Sequence, residues 1–192
     1  MLQGARVRLR PFMEADLEER YRRHADLSIR GEFYPLNLRS EATFRANFAK
    51  DGFWGSENGV MAVVDEEGSV VGTVGFEQVV GDVDEVNLAY LIYPEYRGRG
   101  YVSEALRLFA RYLFATRPGM NRARLDIHPD NANSIRVAER CGFTLEGRIR
   151  EGWFNRGRWQ DVLVYGLLRS ELDGIEADAS SARRETPVAG TV

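Results

Sequence analysis

The run Pro94-Glu95-Tyr96-Arg97-Gly98-Arg99-Gly100-Tyr101-Val102-Ser103 sets two glycines and two arginines between an apolar segment, LAYLIY, and a helix-patterned one, EALRLFARYLF. Glycines at a strand-to-helix junction let the backbone approach a ligand closely. The first helical turn then offers amide hydrogens without partners, at the positive end of the helix dipole. Together these suit a phosphate or pyrophosphate. Arg97 and Arg99 add charge that can fork onto an anion. The alternative is a tight turn with solvated arginines. A dinucleotide fingerprint fails because Ser103 stands at the third glycine position, and a P-loop fails for want of a lysine.

Other residues have chemistry to offer. Glu85 and Asn87 are two apart on a strand-like segment and so share a face; Glu77 lies on the preceding one. Ser134 opens a short helical pattern, where a hydroxyl either caps the helix or donates to a ligand. Asp126 and His128 are also two apart, although a histidine there more often ends a strand. Cys141 precedes a C-cap glycine, Gly142, on an apolar face and reads as packing. Two histidines and one cysteine are too few for a soft-ligand metal site, and one cysteine excludes an internal disulfide.

The 192 residues suit one domain with a substantial core, and 44% hydrophobic residues with 29% charged ones describe a globular chain. A net charge of −3 argues against nonspecific nucleic-acid binding, which needs a basic face. No apolar run approaches the roughly 18 residues of a membrane helix, and the N-terminus lacks the apolar core of a signal peptide. A cytoplasmic protein is expected, acting without nucleic acid or membrane, as a monomer or homodimer.

The elements that must hold these groups follow from pattern. Val7–Arg10 alternates as a half-buried strand. A helix covers Asp16–His24, Gly31–Asn37 is a loop, and Ser40 caps a second helix ending near Lys50. Strands are expected at Val60–Val64, Val70–Val80 and Val86–Tyr93, the last apolar enough to be buried on both faces. Gly81–Asp84 is a turn. Leu106, Phe109, Ala110, Leu113 and Phe114 make the core stripe of the helix after the glycines. Ala123–His128 is a strand and Ser134–Arg140 a short helix. Phe143–Glu151 and Trp159–Leu167 form a closing pair that turns at Asn155-Arg156-Gly157. The domain is mixed α/β and spans residues 1–175; residues 176–192 read as a disordered tail.

Arg97-Gly98-Arg99-Gly100-Tyr101-Val102 resembles the GNAT N-acetyltransferase signature, Arg/Gln-x-x-Gly-x-Gly/Ala, matching at Arg97 and Gly100 and departing at Val102. Asn131-Ala132-Asn133-Ser134, followed by Glu139-Arg140-Cys141-Gly142-Phe143-Thr144-Leu145-Glu146-Gly147, is similar to a run of that superfamily's ribosomal-protein N-terminal acetyltransferase branch. Gly157–Tyr165 is similar to the branch's closing strand, and Val7–Pro11 to its first. The resemblance covers roughly residues 5–172, and three ordered blocks carry far more weight than one.

The resemblance implies a mostly antiparallel, twisted sheet of about seven strands with a splayed parallel pair, flanked by about four helices. It implies acetyl-CoA as cosubstrate. The pyrophosphate would sit on the amides of Arg97, Gly98, Arg99, Gly100, Tyr101, Val102 and Ser103. The pantetheine arm would bond backbone near Leu91 and Ile92 and touch Asn131. Ser134 would stand near the sulfur. Two departures matter: Asn87 stands where many relatives carry a glutamate base, and Ala138 where many carry a tyrosine acid. Glu85, acting through a water, is then the candidate base, with Asn87 orienting water or substrate and Glu77 as another candidate. Glu32, Tyr34 and Trp153, with Phe33, Trp54, Glu57 and Phe154, would wall the acceptor side. An acidic, aromatic wall suits a cationic amine: a protein or peptide N-terminus, or a small-molecule amine. The missing glutamate and tyrosine motivate a rival reading, a module that binds acetyl-CoA or another acyl-CoA without catalysis. The RGRG cluster with Tyr96 and Tyr101 as an RNA patch is a third.

Overall fold

The computed structural model describes residues 1–79 and 84–172. Among these, eight strands form one sheet in the order β1-β2-β3-β4-β5-β6-β8-β7. The strands are β1 (Leu2–Gln3), β2 (Val7–Pro11), β3 (Asn58–Asp65), β4 (Val70–Gln78), β5 (Glu85–Ile92), β6 (Arg122–Ile127), β7 (Thr144–Asn155) and β8 (Arg158–Leu168). The helices are α1 (Leu17–Ala25), α2 (Leu27–Arg30), α3 (Glu41–Asp51), α4 (Tyr101–Thr116) and α5 (Ala132–Arg140). The mixed α/β architecture with one parallel pair is as expected; β1, of two residues, and α2, of four, bring the totals to eight strands and five helices among the described residues. Part of the expected turn at Gly81–Asp84, the end of the Val70–Val80 strand and the expected tail lie outside the described residues. No helix among the described residues is long and apolar enough to cross a membrane.

Local chemistry sets the helix ends. Ser40 accepts from the Thr43 amide to open α3, and Gly52 closes it in the left-handed conformation. Gly142, at φ 83°, follows α5 in the same way. The apolar stripe of α4 buries Leu106, Phe109, Ala110, Leu113 and Phe114 against Val63, Val74, Phe76, Val86, Leu88, Ala123 and Leu125 on one face of the sheet. On the other face α3 covers only the β2–β4 side, where Phe44 and Phe48 meet Phe12 and Phe53.

The cleft is a consequence of pairing. β5 and β6 run parallel and pair only at Glu85–Arg122, Val86–Ala123 and Asn87–Arg124. Beyond Asn87 each strand stays with its outer neighbour: β5 pairs with β4 through Gly72–Ile92, and β6 with β8 through Ile127–Leu163. The two half-sheets therefore part between Leu88–Ile92 and Leu125–Ile127. This corrects the expectation that β5 is buried on both faces. Val86, Leu88 and Ile92 are buried, but Ala89 is exposed and Asn87 and Leu91 are only partly covered, because the face away from α4 opens onto the gap.

Candidate active site

The turn between β5 and α4 is built for an anion. Gly98 and Gly100 hold φ of 77° and 75°, the left-handed region that glycine occupies without strain. Gly100 is the N-cap of α4, and no side chain caps the helix there. Among the described residues, none of the amides from Gly98 to Ser103 donates a hydrogen bond to another group. A row of unbonded N–H groups at the start of a 16-residue helix fits a diphosphate.

The two arginines of the turn divide their labour. Arg97 folds back: its Nε donates to the Ile92 carbonyl at 3.0 Å and its Nη2 to the Ile29 carbonyl at 3.1 Å. Its side chain braces the turn against β5 and α2. Arg99 is exposed, with its guanidinium 5.7 Å from the centre of the Tyr96 ring. Sequence reading missed Arg6, whose Nη1 donates to the Arg99 carbonyl at 3.0 Å while Glu104 holds its Nε at 3.4 Å.

Across the gap, α5 is capped by Asn131, whose Oδ1 accepts from the Ser134 amide at 3.1 Å. The cap is therefore Asn131, and the Ser134 hydroxyl makes no hydrogen bond among the described residues. Leu91 and Ile92 sit opposite Thr73 and Gly72 on the splayed part of β5. Arg97 takes the Ile92 carbonyl, which leaves the backbone from Leu88 to Leu91 to face the gap.

The floor of the gap, on the face away from α4, is a charged lattice. Glu85 pairs with Arg122 at 3.1 Å, and Arg122 also reaches Glu146 on β7. Asn87 Nδ2 donates to Asp126 at 3.3 Å, and Arg124 Nη2 donates to the same carboxylate at 2.8 Å. Because a carboxylate only accepts, this bond fixes the orientation of the Asn87 amide. Glu77 lies in register beside Asn87.

A loop closes the open end of the gap. Phe33 packs on His128 with ring centres 5.0 Å apart. Asn155 and Arg156, at the β7–β8 turn, donate to the Glu32 carbonyl at 3.3 and 3.1 Å, and Arg156 also to the Gly31 carbonyl at 3.0 Å. His128 is buried, and its Nδ1 accepts from the Asp130 amide, the behaviour of a strand-end residue. Tyr34 lies with its ring centre 5.6 Å from the Arg30 guanidinium, and Trp153 is half-buried on β7 opposite Gln160. Trp54 is not in this wall: it packs on Phe76, Phe109 and Tyr112 on the α4 face. Cys141 is buried and bonded to the Ser103 carbonyl, and burial pushes its thiol up, as packing requires.

Two arginines of the N-terminal helices are buried, which the sequence did not signal. Arg20 stacks 3.8 Å from the Phe12 ring centre and 4.4 Å from that of Phe53, and burial lowers it to about 10. Arg30 is 5% exposed and donates to the carbonyls of His24, Pro35 and Asn37. Burial first, then Arg30, Arg39 and Arg20, hold His24 down at about 4. An unfolded histidine titrates near 6.5, so between about pH 6.5 and 4 the unfolded chain binds a proton that the folded chain refuses. Stability therefore falls as pH drops through that window, by about 1 kcal/mol once the half-exposed position is allowed for. Denaturant midpoints at pH 7 and 4.5 should show this fall in the parent and a smaller one in His24→Gln.

The comparisons with known proteins agree with this geometry. The family model "Acetyltransferase (GNAT) domain" matches residues 6–144. The "Putative ribosomal N-acetyltransferase YdaF" of Bacillus subtilis (strain 168) is 30% identical over 150 residues, which cover 74% of this chain and 78% of YdaF. Two solved structures share the fold. Spermidine N-acetyltransferase from Vibrio cholerae, in complex with CoA and spermine, superposes with a TM-score of 0.76 at 22% identity, covering 86% of this chain and 97% of that one. Mycobacterium smegmatis RimJ, in complex with CoA-disulfide, superposes at 0.74 and 19% identity, covering 91% and 89%. The chain belongs to the GNAT acetyltransferase family. Its enzyme class is that of its named relatives, the N-acetyltransferases.

Proposed function

We propose that the chain transfers an acetyl group from acetyl-CoA to a primary amine in the cytoplasm, by direct attack within a ternary complex. The observation that carries this is the row of unbonded amides from Gly98 to Ser103, set at the mouth of a gap that starts at Asn87. The turn holds the diphosphate on the amides of Gly98, Arg99, Gly100, Tyr101, Val102 and Ser103, while Arg97, whose amide donates to the Pro94 carbonyl, braces the turn. The unpaired β5 backbone about Leu91 takes the pantetheine arm as it would a neighbouring strand, and Asn131 flanks it. The amine nitrogen bonds the thioester carbon, the C–S bond breaks, and its electron pair stays on sulfur. The amine's proton passes to water on a floor that bears Glu85, Asn87 and Glu77. Glu85 acts through that water, since its own carboxylate is tied to Arg122.

Ser134 donates to the departing sulfur. Its free hydroxyl supports this, because Asn131 has taken over the capping role. Ser134→Ala should lower kcat about ten- to a hundredfold, the worth of one hydrogen bond to a charged atom, while changing CoA affinity less than twofold. Steady-state kinetics with calorimetry of CoA binding separates the two, and an unchanged kcat removes Ser134 from the mechanism.

For the acceptor, the 30% identity to YdaF over most of both chains favours a peptide or protein α-amine over a polyamine. Glu32, Tyr34 and Trp153 wall the acceptor side. The test is acetyl-CoA consumption with a panel of peptide N-termini and spermidine. Turnover of peptides above spermidine is the expected result. CoA binding without turnover of any amine would point to the binding-module reading instead.

A further inference from the structure

A departing thiolate is stabilised by each donor that reaches it, and the inner surface of α5 offers few. Ala138 is fully buried and has no polar side-chain atom; Cys141 already donates to Ser103; Ile135 and Val137 are apolar. The Tyr165 hydroxyl donates to the Glu139 carboxylate toward the far end of the helix, at 3.4 Å, which leaves at the first turn the hydroxyls of Ser134 and Tyr90. Tyr90 sits in the middle of the β5 segment that has lost its β6 partner. Its ring packs against the core on the α4 side, and its Oη donates to the Ser134 carbonyl at 3.4 Å. That carbonyl also faces the Ala138 amide one helical turn on. The Tyr90 hydroxyl is thus carried across the gap to the residue that presents the free serine hydroxyl.

We propose that Tyr90 is a second hydrogen-bond donor to the sulfur of CoA as it leaves, acting beside Ser134. The inference rests on the acetyl-transfer reading above. A bond of 3.4 Å is long for a hydroxyl donor, whose usual range ends near 3.0 Å, so turning the hydroxyl from carbonyl to sulfur gives up little. Burial pushes the Tyr90 hydroxyl up to about 12. A thiol titrates near 8.5, so handing the proton over would be uphill by more than a thousandfold. Tyr90 therefore keeps its proton and only donates. The carbon–nitrogen bond forms, the carbon–sulfur bond breaks, the electron pair rests on sulfur under two hydroxyls, and the thiolate takes its proton from solvent.

The test uses the full chain with Tyr90→Phe, which keeps the ring. We expect kcat at saturating acetyl-CoA and amine to fall about tenfold, with CoA affinity within twofold of the parent. The thiol of bound CoA, titrated by the ultraviolet absorbance of its thiolate, should shift upward by about one pKa unit in the variant, the same tenfold factor. A purely structural tyrosine would alter melting temperature and CoA affinity but leave that titration where it was. Unchanged kcat with an unchanged bound-thiol titration overturns the proposal. If Tyr90→Phe does not fold, Ser134→Ala decides: should that variant alone return the bound thiol to its ordinary value, Tyr90 contributes nothing. A parent chain that neither binds CoA nor consumes its acetyl ester would overturn the acetyl-transfer reading itself, a result distinct from an active parent with an indifferent Tyr90.

Discussion

Replacing Gly98 and Gly100 together by alanine is expected to weaken CoA binding by at least a hundredfold. Both residues sit at φ near 75°, where a Cβ costs about 1 kcal/mol each. Around Gly98 there is open space within 4 Å, so its penalty is purely conformational; at Gly100 a Cβ would also meet Arg6 Nη2 at 3.0 Å. The variant relieves this by turning the peptide planes, and the amides then no longer converge. Each charge-assisted bond to a phosphate oxygen that is lost removes about 1.5–3 kcal/mol, so two lost bonds weaken binding by roughly a hundred- to ten-thousandfold. Calorimetry with CoA measures the loss, and thermal unfolding checks that the drop in stability stays near the conformational cost. Affinity within a few fold of the parent would mean that the diphosphate lies elsewhere and would remove the foundation of the proposed function.

What was legible in the sequence was local. The Ser40 cap, the Gly142 stop, the stripe of α4 and the glycine turn each depend on residues within a few positions of one another, and the structure places them as the pattern implies. The three motif blocks then placed the chain in its family before any contact was known. What could not be read depends on neighbours that are distant along the chain. The foot of the gap is set by β5 following β4 and β6 following β8, and no periodicity within Val86–Tyr93 reports that. A wholly apolar run looks the same whether its second face meets a helix or an opening. Arg97 looks like a phosphate ligand until Ile29 is found within its reach. Ser134 looks like a cap until Asn131 is seen to hold that place. Trp54 looks like a loop aromatic until α4 comes to lie over it. Arg30 gave no signal at all: an isolated arginine in LSIRGEF has no pattern, and its burial goes with two carbonyls that its own loop turns inward and a third, of His24, at the end of α1.

Arg30 is also where the second large effect should appear. Arg30→Met keeps the length and apolar bulk of the side chain and removes every donor. The carbonyls of His24, Pro35 and Asn37 then lose bonds of 2.7, 2.9 and 2.8 Å. With unsatisfied buried acceptors costing about 1–3 kcal/mol each, and some rescue by water as the loop loosens, the net loss should be about 3 kcal/mol. The loop that loosens is the one that spans the open end of the gap through Glu32, Phe33 and the β7–β8 turn. The KM for the amine should therefore rise about tenfold, while CoA affinity, set by the amides of the glycine turn and linked to α2 through the bond from Arg97 to the Ile29 carbonyl, should change by less. A linked sign follows at His24. Removing the Arg30 charge takes away the second cause of its low value, so its titration moves back toward the ordinary range, and the stability lost between pH 6.5 and 4 shrinks. Arg30→Lys, which keeps the charge without the fork, should keep most of that pH dependence yet lose much of the stability. Denaturant unfolding at two pH values and amine saturation curves decide the matter. If stability falls but the amine KM does not move, the loop is scaffolding and the acceptor enters from another side of the gap.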